Sequence, residues 1–355
     1  MGPGTAILGG QNPDRCEISG AVQFNGGMTP ELVDVLSSLR VVALPLATRF
    51  RGLTVRETAL FEGPQGWTEC SPFTEYQDAE ASRWLEAAYE YGWQNAPAIV
   101  RSRIGVNATM PAVPADRVPE ILARFAGCRT VKVKVAEPGG SLADDVERVA
   151  AVRRALGPEG RIRIDANAAW NVDEAEHAVR ALSVYDLEYV EQPCATQEEL
   201  EQLVDRIDYL DVPIAVDEGL RKSDDPVGAA RELTGGIVIL KAAPLGGIRR
   251  ALEVAAAAAR PAVVSSALES SVGLAMGLHL AGALPSLEYD CGLGTAALLA
   301  ADVTDDPLLP VHGEIEVRRI APTGRLLDAF AAEPDRIEWW RARIIRCHAL
   351  LSEAS

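Results

Sequence analysis

From about Arg101 to Asp302 one pattern keeps returning: a short β-type run, a polar or glycine-rich joint, then a segment of helical period. Eight runs qualify, at Ile104–Thr109, Thr130–Val135, Arg161–Asp165, Leu187–Glu191, Pro213–Asp217, Gly236–Lys241, Pro261–Ser266 and Leu287–Asp290. Strands alternating with helices at this pace imply βα units on a parallel sheet. Eight such units predict closure into a TIM-like (β/α) barrel rather than an open doubly wound sheet. Helix starts between the runs carry cap signals. Asn171 precedes Glu174 and Thr196 precedes Glu199 at capping-box spacing, and Asp225 stands before a first-turn Pro226. No G-x-G-x-x-G follows the first run, which weighs against a dinucleotide fold.

A barrel of this kind takes about 250 residues, and the chain has 355. The remainder reads differently. Val42–Thr48 and Thr54–Glu62 look like antiparallel strands, and Asp78–Tyr91 like an amphipathic helix. After Val311 come a strand candidate, Glu314–Ile320, and a helix carrying Trp339 and Trp340. These ends are expected to form one α+β capping domain. Residues 1–27 are expected to be a disordered extension, 28–100 the cap, 101–310 the barrel, and 311–355 a segment returning to the cap.

Lys and Arg number 34 against 51 Asp and Glu, a net charge of −17. Such a surface repels phosphate backbones, so nucleic acid is excluded as the main partner. The six cysteines lie far apart with no Cys-x-x-Cys pair, which suits free thiols in a reducing cytoplasm. The longest apolar stretch, Val272 to Leu284, is too short to span a membrane and holds His279. The start does not resemble a signal peptide. A cytoplasmic protein is expected, a monomer or weak homo-oligomer, acting on a small-molecule carboxylate.

Buried parallel strands should be apolar throughout, yet five of these runs carry charge near their C-terminal ends. In Val131-Lys132-Val133-Lys134-Val135 the two lysines share one face, and in Arg161-Ile162-Arg163-Ile164-Asp165 alternation aligns Arg163 with Asp165. Glu191, Asp217 and Lys241 follow at intervals of one βα unit. One charge at a strand end is ordinary. Five on consecutive strands, at the barrel end where active sites form, are not, because unpaired charges there cost several kcal/mol each. Asp165, Glu191 and Asp217 fall on adjacent strands, an all-oxygen set suited to Mg²⁺, with Mn²⁺ able to substitute. Lys134 and Lys241 lie on the second and sixth strands, across the barrel. Lys132 is expected to lower the proton affinity of Lys134 as a like charge. A base opposite a metal-held carboxylate is equipment for forming an enediolate.

At these residues the chain resembles the enolase superfamily, in its muconate-lactonizing subgroup. Lys132-Val133-Lys134, Asp165-Ala166-Asn167, Glu191-Gln192-Pro193, Asp217-Glu218 and the Lys241 strand carry the resemblance. Within the subgroup, Pro45–Gly52, Gly66–Phe73, Arg163 ahead of Asp165, and Ser265–Ser271 are similar to the o-succinylbenzoate synthase family of actinobacteria. Thr68 stands where that family more often has Gly.

The resemblance implies dehydration of 2-succinyl-6-hydroxy-2,4-cyclohexadiene-1-carboxylate to o-succinylbenzoate, a step of menaquinone biosynthesis. It implies Lys134 as the base, Lys241 as a cation on the opposite ring face, and Mg²⁺ on Asp165, Glu191 and Asp217. Ser265 and Ser266 are implied to contact the succinyl carboxylate, and Gly294 to let its backbone approach ligand. Arg163 and Asn167 are implied to line the mouth, Arg163 either pairing with a metal carboxylate or touching substrate. The same two-lysine site suits an N-acylamino acid racemase or dipeptide epimerase. A non-catalytic metal-binding protein is the alternative from another class. His177, His279, Cys194 and the Trp339-Trp340 pair read as surface or packing residues.

Overall fold

A computed structural model describes residues 22–24 and 27–353. The expected extension over 1–27 lies almost wholly outside the described residues. At its end β1 (Val22–Phe24) pairs antiparallel with β2 (Gly27–Thr29), and α1 (Leu32–Ser37) follows.

β3 (Arg40–Phe50), β4 (Leu53–Gly63) and β5 (Gly66–Cys70) form an antiparallel sheet in that order. The β3–β4 turn is Arg51-Gly52, at φ of 50° and 78°. Two left-handed residues give the twist a tight hairpin needs. β5 is absent from the expected strands, since Gly66-Trp67-Thr68-Glu69-Cys70 lacks the alternation that marks a half-buried strand. α2 (Asp78–Trp93) covers the sheet with Ala81, Trp84, Leu85, Ala88 and Tyr89, spaced along one helical face.

The barrel alternates strands and helices. β6 (Arg103–Gly105) and β7 (Ala108–Met110) are followed by α3 (Val118–Leu122), β8 (Thr130–Lys134), α4 (Leu142–Leu156) and β9 (Arg161–Asp165). Next come α5 (Val172–Leu182), β10 (Leu187–Glu191), α6 (Gln197–Ile207) and β11 (Ile214–Val216). The series ends with α7 (Glu218–Arg221), α8 (Pro226–Arg231), β12 (Ile237–Leu240), α9 (Ile248–Ala258), β13 (Ala262–Val264) and α10 (Ser271–Ala283). Strands β7 to β13 make one parallel ladder of seven in chain order.

Two expected strands come out differently. Ile104–Thr109 divides at Val106-Asn107, and its first half, β6, pairs outside the barrel ladder. Leu287–Asp290 is no strand: the Asp290 carbonyl accepts Arg163 Nη1 at 2.6 Å and its carboxylate accepts Thr130 Oγ1 at 2.5 Å. Closure falls instead to Cys291 and Gly292, which bridge Val106 on one side and Ser265 on the other. Pro213 and Pro261 offer no N–H, so β11 and β13 begin one residue later than expected.

The boxes at Asn171/Glu174 and Thr196/Glu199 are both reciprocal, and Ser141/Asp144 forms a third. Asp225 precedes Pro226 as expected but makes no side-chain cap hydrogen bond. α10 is apolar on every side because the barrel and β5 enclose it. No helix of the described residues is long and apolar enough to cross a membrane.

The chain then returns. β14 (Glu314–Glu316) pairs antiparallel with β6, α11 (Gly324–Ala329) follows, and α12 (Pro334–Glu353) packs on α2 and β3. Arg336 clasps Glu57 of β4 through Nε at 2.8 Å and Nη2 at 2.6 Å, and Trp340 Nε1 reaches the same carboxylate at 2.8 Å.

Candidate active site

A cavity opens between the barrel's C-terminal end and the cap. Lys132, Lys134, Asn167, Lys241, Ser265 and Ser266 line it from the barrel. Phe50, Arg51 and Phe73 line it from the cap, with Thr109, Ala267, Leu268, Gly292 and Thr295 completing the wall.

Register gathers the charges. Lys134, Asp165 and Glu191 stand in line across β8, β9 and β10, while Asp217 and Lys241 directly follow β11 and β12. β8 and β12 are four places apart in the ladder, so Lys134 and Lys241 reach the cavity from different sides. Lys134 Nζ lies 2.5 Å from Asp165 Oδ2 and 2.6 Å from Asn167 Oδ1. Lys132 Nζ bridges Asp165 Oδ2 at 3.0 Å and Glu191 Oε1 at 2.8 Å. Lys241 Nζ lies 2.5 Å from Asp217 Oδ2, and Arg221 Nε holds Oδ1 of the same carboxylate at 3.1 Å.

Burial and partners set the charge states. Burial alone would raise Asp165, but the Lys132 and Lys134 ammoniums hold it well below the usual carboxylate range. Asp217 is likewise driven down, Lys241 and Arg221 overcoming burial. Glu191 goes the other way, to about 7, pushed by burial and the Asp165 charge with Lys132 opposing. Burial lowers Lys134; Asp165 works against that and the Lys132 ammonium adds to it. Lys132 suffers the same burial but lies between two carboxylates, which raise it well above an ordinary lysine.

Whether this set fits a divalent cation is answered by Glu191. Its Oε2 is buried and has no hydrogen-bond partner, an expensive state for a carboxylate oxygen. Oxygen donors from three neighbouring strand ends, one of them unpartnered, suit a hard cation. Among the described residues no three acidic or imidazole groups already converge on one point. Each of the three carboxylates accepts from a lysine ammonium, and Asp217 from Arg221 as well.

Arg163 does not line the mouth. It lies fully buried deeper in the barrel, with Nε on Glu188 Oε2 at 2.5 Å and Nη1 on Asn107 Oδ1 at 3.1 Å and on the Asp290 carbonyl. Two residues before the strand end, its side chain reaches toward the segment that closes the ring. Gly294 also departs from expectation. A Cβ there would sit 2.8 Å from the Asn107 carbonyl, so its smallness serves backbone packing, and Gly292 is the glycine at the cavity. Ser265 and Ser266 do line the cavity, Ser266 Oγ bonding Thr295 Oγ1 at 2.7 Å. Cys194 is a buried thiol pushed up to about 12 by burial, and His279 is engaged with the Pro97 carbonyl at 3.0 Å.

Other members escaped sequence reading. Arg221 lies on a short helix and shows no periodic signal, although its spacing of four from Asp217 was available. Gln192, at φ 39°, accepts the Asp217 and Gly219 N–H groups at 2.9 and 3.2 Å and so fixes the Asp217 backbone. Arg51 and Phe73 come from the cap, where no strand-end rule applies.

Residues 41–92 match the family described as enolase N-terminal domain-like, and residues 117–324 the family described as enolase C-terminal domain-like. The chain is 52% identical over 323 residues to an o-succinylbenzoate synthase of Mycolicibacterium smegmatis, covering 91% of this chain and 98% of that protein. It is 52% identical over 323 residues to one of Mycobacterium tuberculosis, covering 91% and 97%. Among solved structures, a muconate lactonizing enzyme from Pseudomonas fluorescens complexed with muconolactone superposes with a TM-score of 0.69. It shares 20% identity, with 83% of this chain and 98% of that one covered. A 2-chloromuconate cycloisomerase from Rhodococcus opacus gives the same values, and both likenesses speak to the fold alone. By its two matched domains and by the extent of its likeness to these synthases, the chain belongs to the enolase superfamily and, within it, to the o-succinylbenzoate synthase family of carbon–oxygen lyases.

Proposed function

We propose that this site dehydrates 2-succinyl-6-hydroxy-2,4-cyclohexadiene-1-carboxylate to o-succinylbenzoate, a step of menaquinone biosynthesis. The observation that carries the reading is the pair Lys134 and Lys241 on one cavity, each beside a carboxylate of the same cluster. The names of the relatives support it. Asp165, Glu191 and Asp217 would hold Mg²⁺, or Mn²⁺ in its place. When bound, the cation supplies Lewis-acid stabilisation of the negative charge that develops on the substrate carboxylate.

The chain's own residues do the rest. Lys134, as a neutral amine, takes the proton from the carbon bearing the ring carboxylate. The electron pair released at that carbon forms the new ring double bond as the C–O bond to the hydroxyl breaks. Lys134, now an ammonium, gives its proton to the departing hydroxide, which leaves as water. Burial and the Lys132 charge both ease Lys134 toward the amine form this step requires. Lys241 presents a fixed cation to the ring as aromaticity develops. Ser265 and Ser266 offer hydroxyls to the succinyl carboxylate. Asn167 accepts from Lys134 and donates to Glu218 Oε1 at 3.1 Å, which aims the base.

Loss of the cyclohexadiene's ultraviolet absorbance tests this, with Mg²⁺ or EDTA, in wild type and Lys134→Ala. Metal-dependent turnover lost in the variant is the expected result. A folded, Mg²⁺-loaded wild type without turnover overturns it. Two lysines facing one cavity also suit racemisation, since each can serve one face of Cα. Deuterium uptake at Cα of an N-acylamino acid in heavy water reads that activity directly.

A further inference from the structure

The loop from β13 to α10 supplies four cavity residues, Ser265, Ser266, Ala267 and Leu268, the last in a left-handed conformation at φ 66°. A hydrogen bond within the loop and contacts to the barrel hold part of that shape, and the cap holds the rest. Glu69 on β5 is buried, with Ser71 Oγ donating to its Oε1 at 2.6 Å. Its Oε2 receives Ser270 Oγ at 2.5 Å, Ser270 N at 3.2 Å and Gly273 N at 3.1 Å. The carboxylate thus occupies the N-terminus of α10 from across a domain boundary, where unpaired N–H groups favour an anion. Gly273 is shaped for it: a Cβ there would lie 2.8 Å from Glu69 Cδ.

Arg56 on β4 completes the hold. Its Nε donates to the Leu268 carbonyl at 3.1 Å, and Nη2 donates to the Ser71 carbonyl and, at 3.4 Å, to that of Ala267. The guanidinium lies 4.4 Å from the ring centre of Phe73, itself a cavity residue. Inside the loop, Glu269 Oε2 accepts Ala267 N at 2.7 Å. Neither Arg56 nor Glu69 lines the cavity.

We propose that Glu69 and Arg56 are positioning residues that clamp the cap onto the 265–273 segment. They set the affinity for the substrate's succinyl arm without touching it. The proposal rests on the function read above, in which Ser265 and Ser266 meet that arm. The proton-transfer machinery, Lys134 on β8 and the carboxylates on β9 to β11, lies outside the clamp. Its loosening therefore raises KM and leaves kcat.

The test compares Glu69→Gln, Ser270→Ala and the double variant by steady-state kinetics, with hydrogen exchange followed by mass spectrometry. Gln places an amide donor where the carboxylate met only donors, while Ser270→Ala removes one donor and keeps Glu69 in place if the first variant folds poorly. Each single change is expected to raise KM about tenfold with kcat within about twofold. The double variant is no worse than the worse single one. Exchange quickens in 265–273 and holds steady in 161–191. Unchanged KM, a fall confined to kcat, or additive effects overturn the proposal. If the wild type does not turn over the substrate, the functional reading fails separately, and unchanged exchange in 265–273 then sinks the clamp.

Discussion

Lys132 and Lys134 end on one oxygen, Asp165 Oδ2, at 3.0 and 2.5 Å. Their second contacts divide them. Lys132 goes on to Glu191 and is held as a cation, whereas Lys134 goes on to the neutral Asn167 Oδ1 and is lowered by burial and by its neighbour. Two lysines of one strand face thereby acquire different work.

Lys134→Ala should therefore lose about a thousandfold or more in kcat, within the range general acid–base groups contribute. It should keep its circular dichroism, since Lys132 still holds Asp165 Oδ2 at 3.0 Å. A variant with kcat within about tenfold of wild type removes Lys134 from the role of base.

The unpartnered Glu191 Oε2 makes a prediction independent of turnover. A cation that binds only the folded chain raises Tm, by an amount equivalent to about 2.7 kcal/mol at a hundredfold excess over Kd. Mg²⁺ should raise Tm of the wild type, and Glu191→Gln should abolish the rise while EDTA abolishes turnover. An equal rise in both proteins moves the cation away from this cluster.

The barrel was legible because strand and helix periods are local, and the charged cluster because one βα unit sets its spacing. The strand order and the register of Lys134, Asp165 and Glu191 follow from those two facts. What escaped was decided by contacts far apart in the chain. Leu287–Asp290 has strand-like residues, yet Asp290 satisfies its polar groups through Arg163 and Thr130, and a two-residue bridge closes the ring. The direction of Arg163 was hidden for the same reason: alternation gives the face of a strand and not the depth to which a long side chain reaches. Cap residues at the cavity, Phe50, Arg51 and Phe73, had no periodic marker at all.

Glu57 ties the cap sheet to α12, and its sign with pH can be worked out. Burial would raise its pKa, but hydrogen bonds from Arg336 and Trp340 bring it below the ordinary 4.5. A depressed carboxylate stabilises above its unfolded value and loses that contribution as pH falls through the folded one. Glu57→Gln should cost about 1.5 kcal/mol at neutral pH, the low end for hydrogen bonds to a charged group because the carboxylate is partly exposed. The gap from wild type should narrow as pH drops below about 4.5, the ordinary carboxylate value. Urea titrations of both proteins at pH 7 and pH 4 measure it, and a gap that widens in acid contradicts the assignment.

Arg163 separates a fold role from a substrate role. Its guanidinium is buried over Tyr189, 4.7 Å from the ring centre, with Glu188, Asn107 and the Asp290 carbonyl as partners. Burial lowers its proton affinity, but the Tyr189 and Glu188 environment more than restores it, so it stays a cation. Arg163→Met keeps much of the volume and removes the donor to Glu188 Oε2 and to the Asp290 carbonyl, leaving Glu188 only the longer Arg161 pair at 3.8 Å. Breaking such a pair costs about 3 kcal/mol, and denaturant midpoints should show that loss. KM should stay near the wild-type value, because no atom of Arg163 borders the cavity. A variant of unchanged stability with a raised KM would place the side chain at the mouth after all, and the barrel would need another explanation for how Asp290 is held.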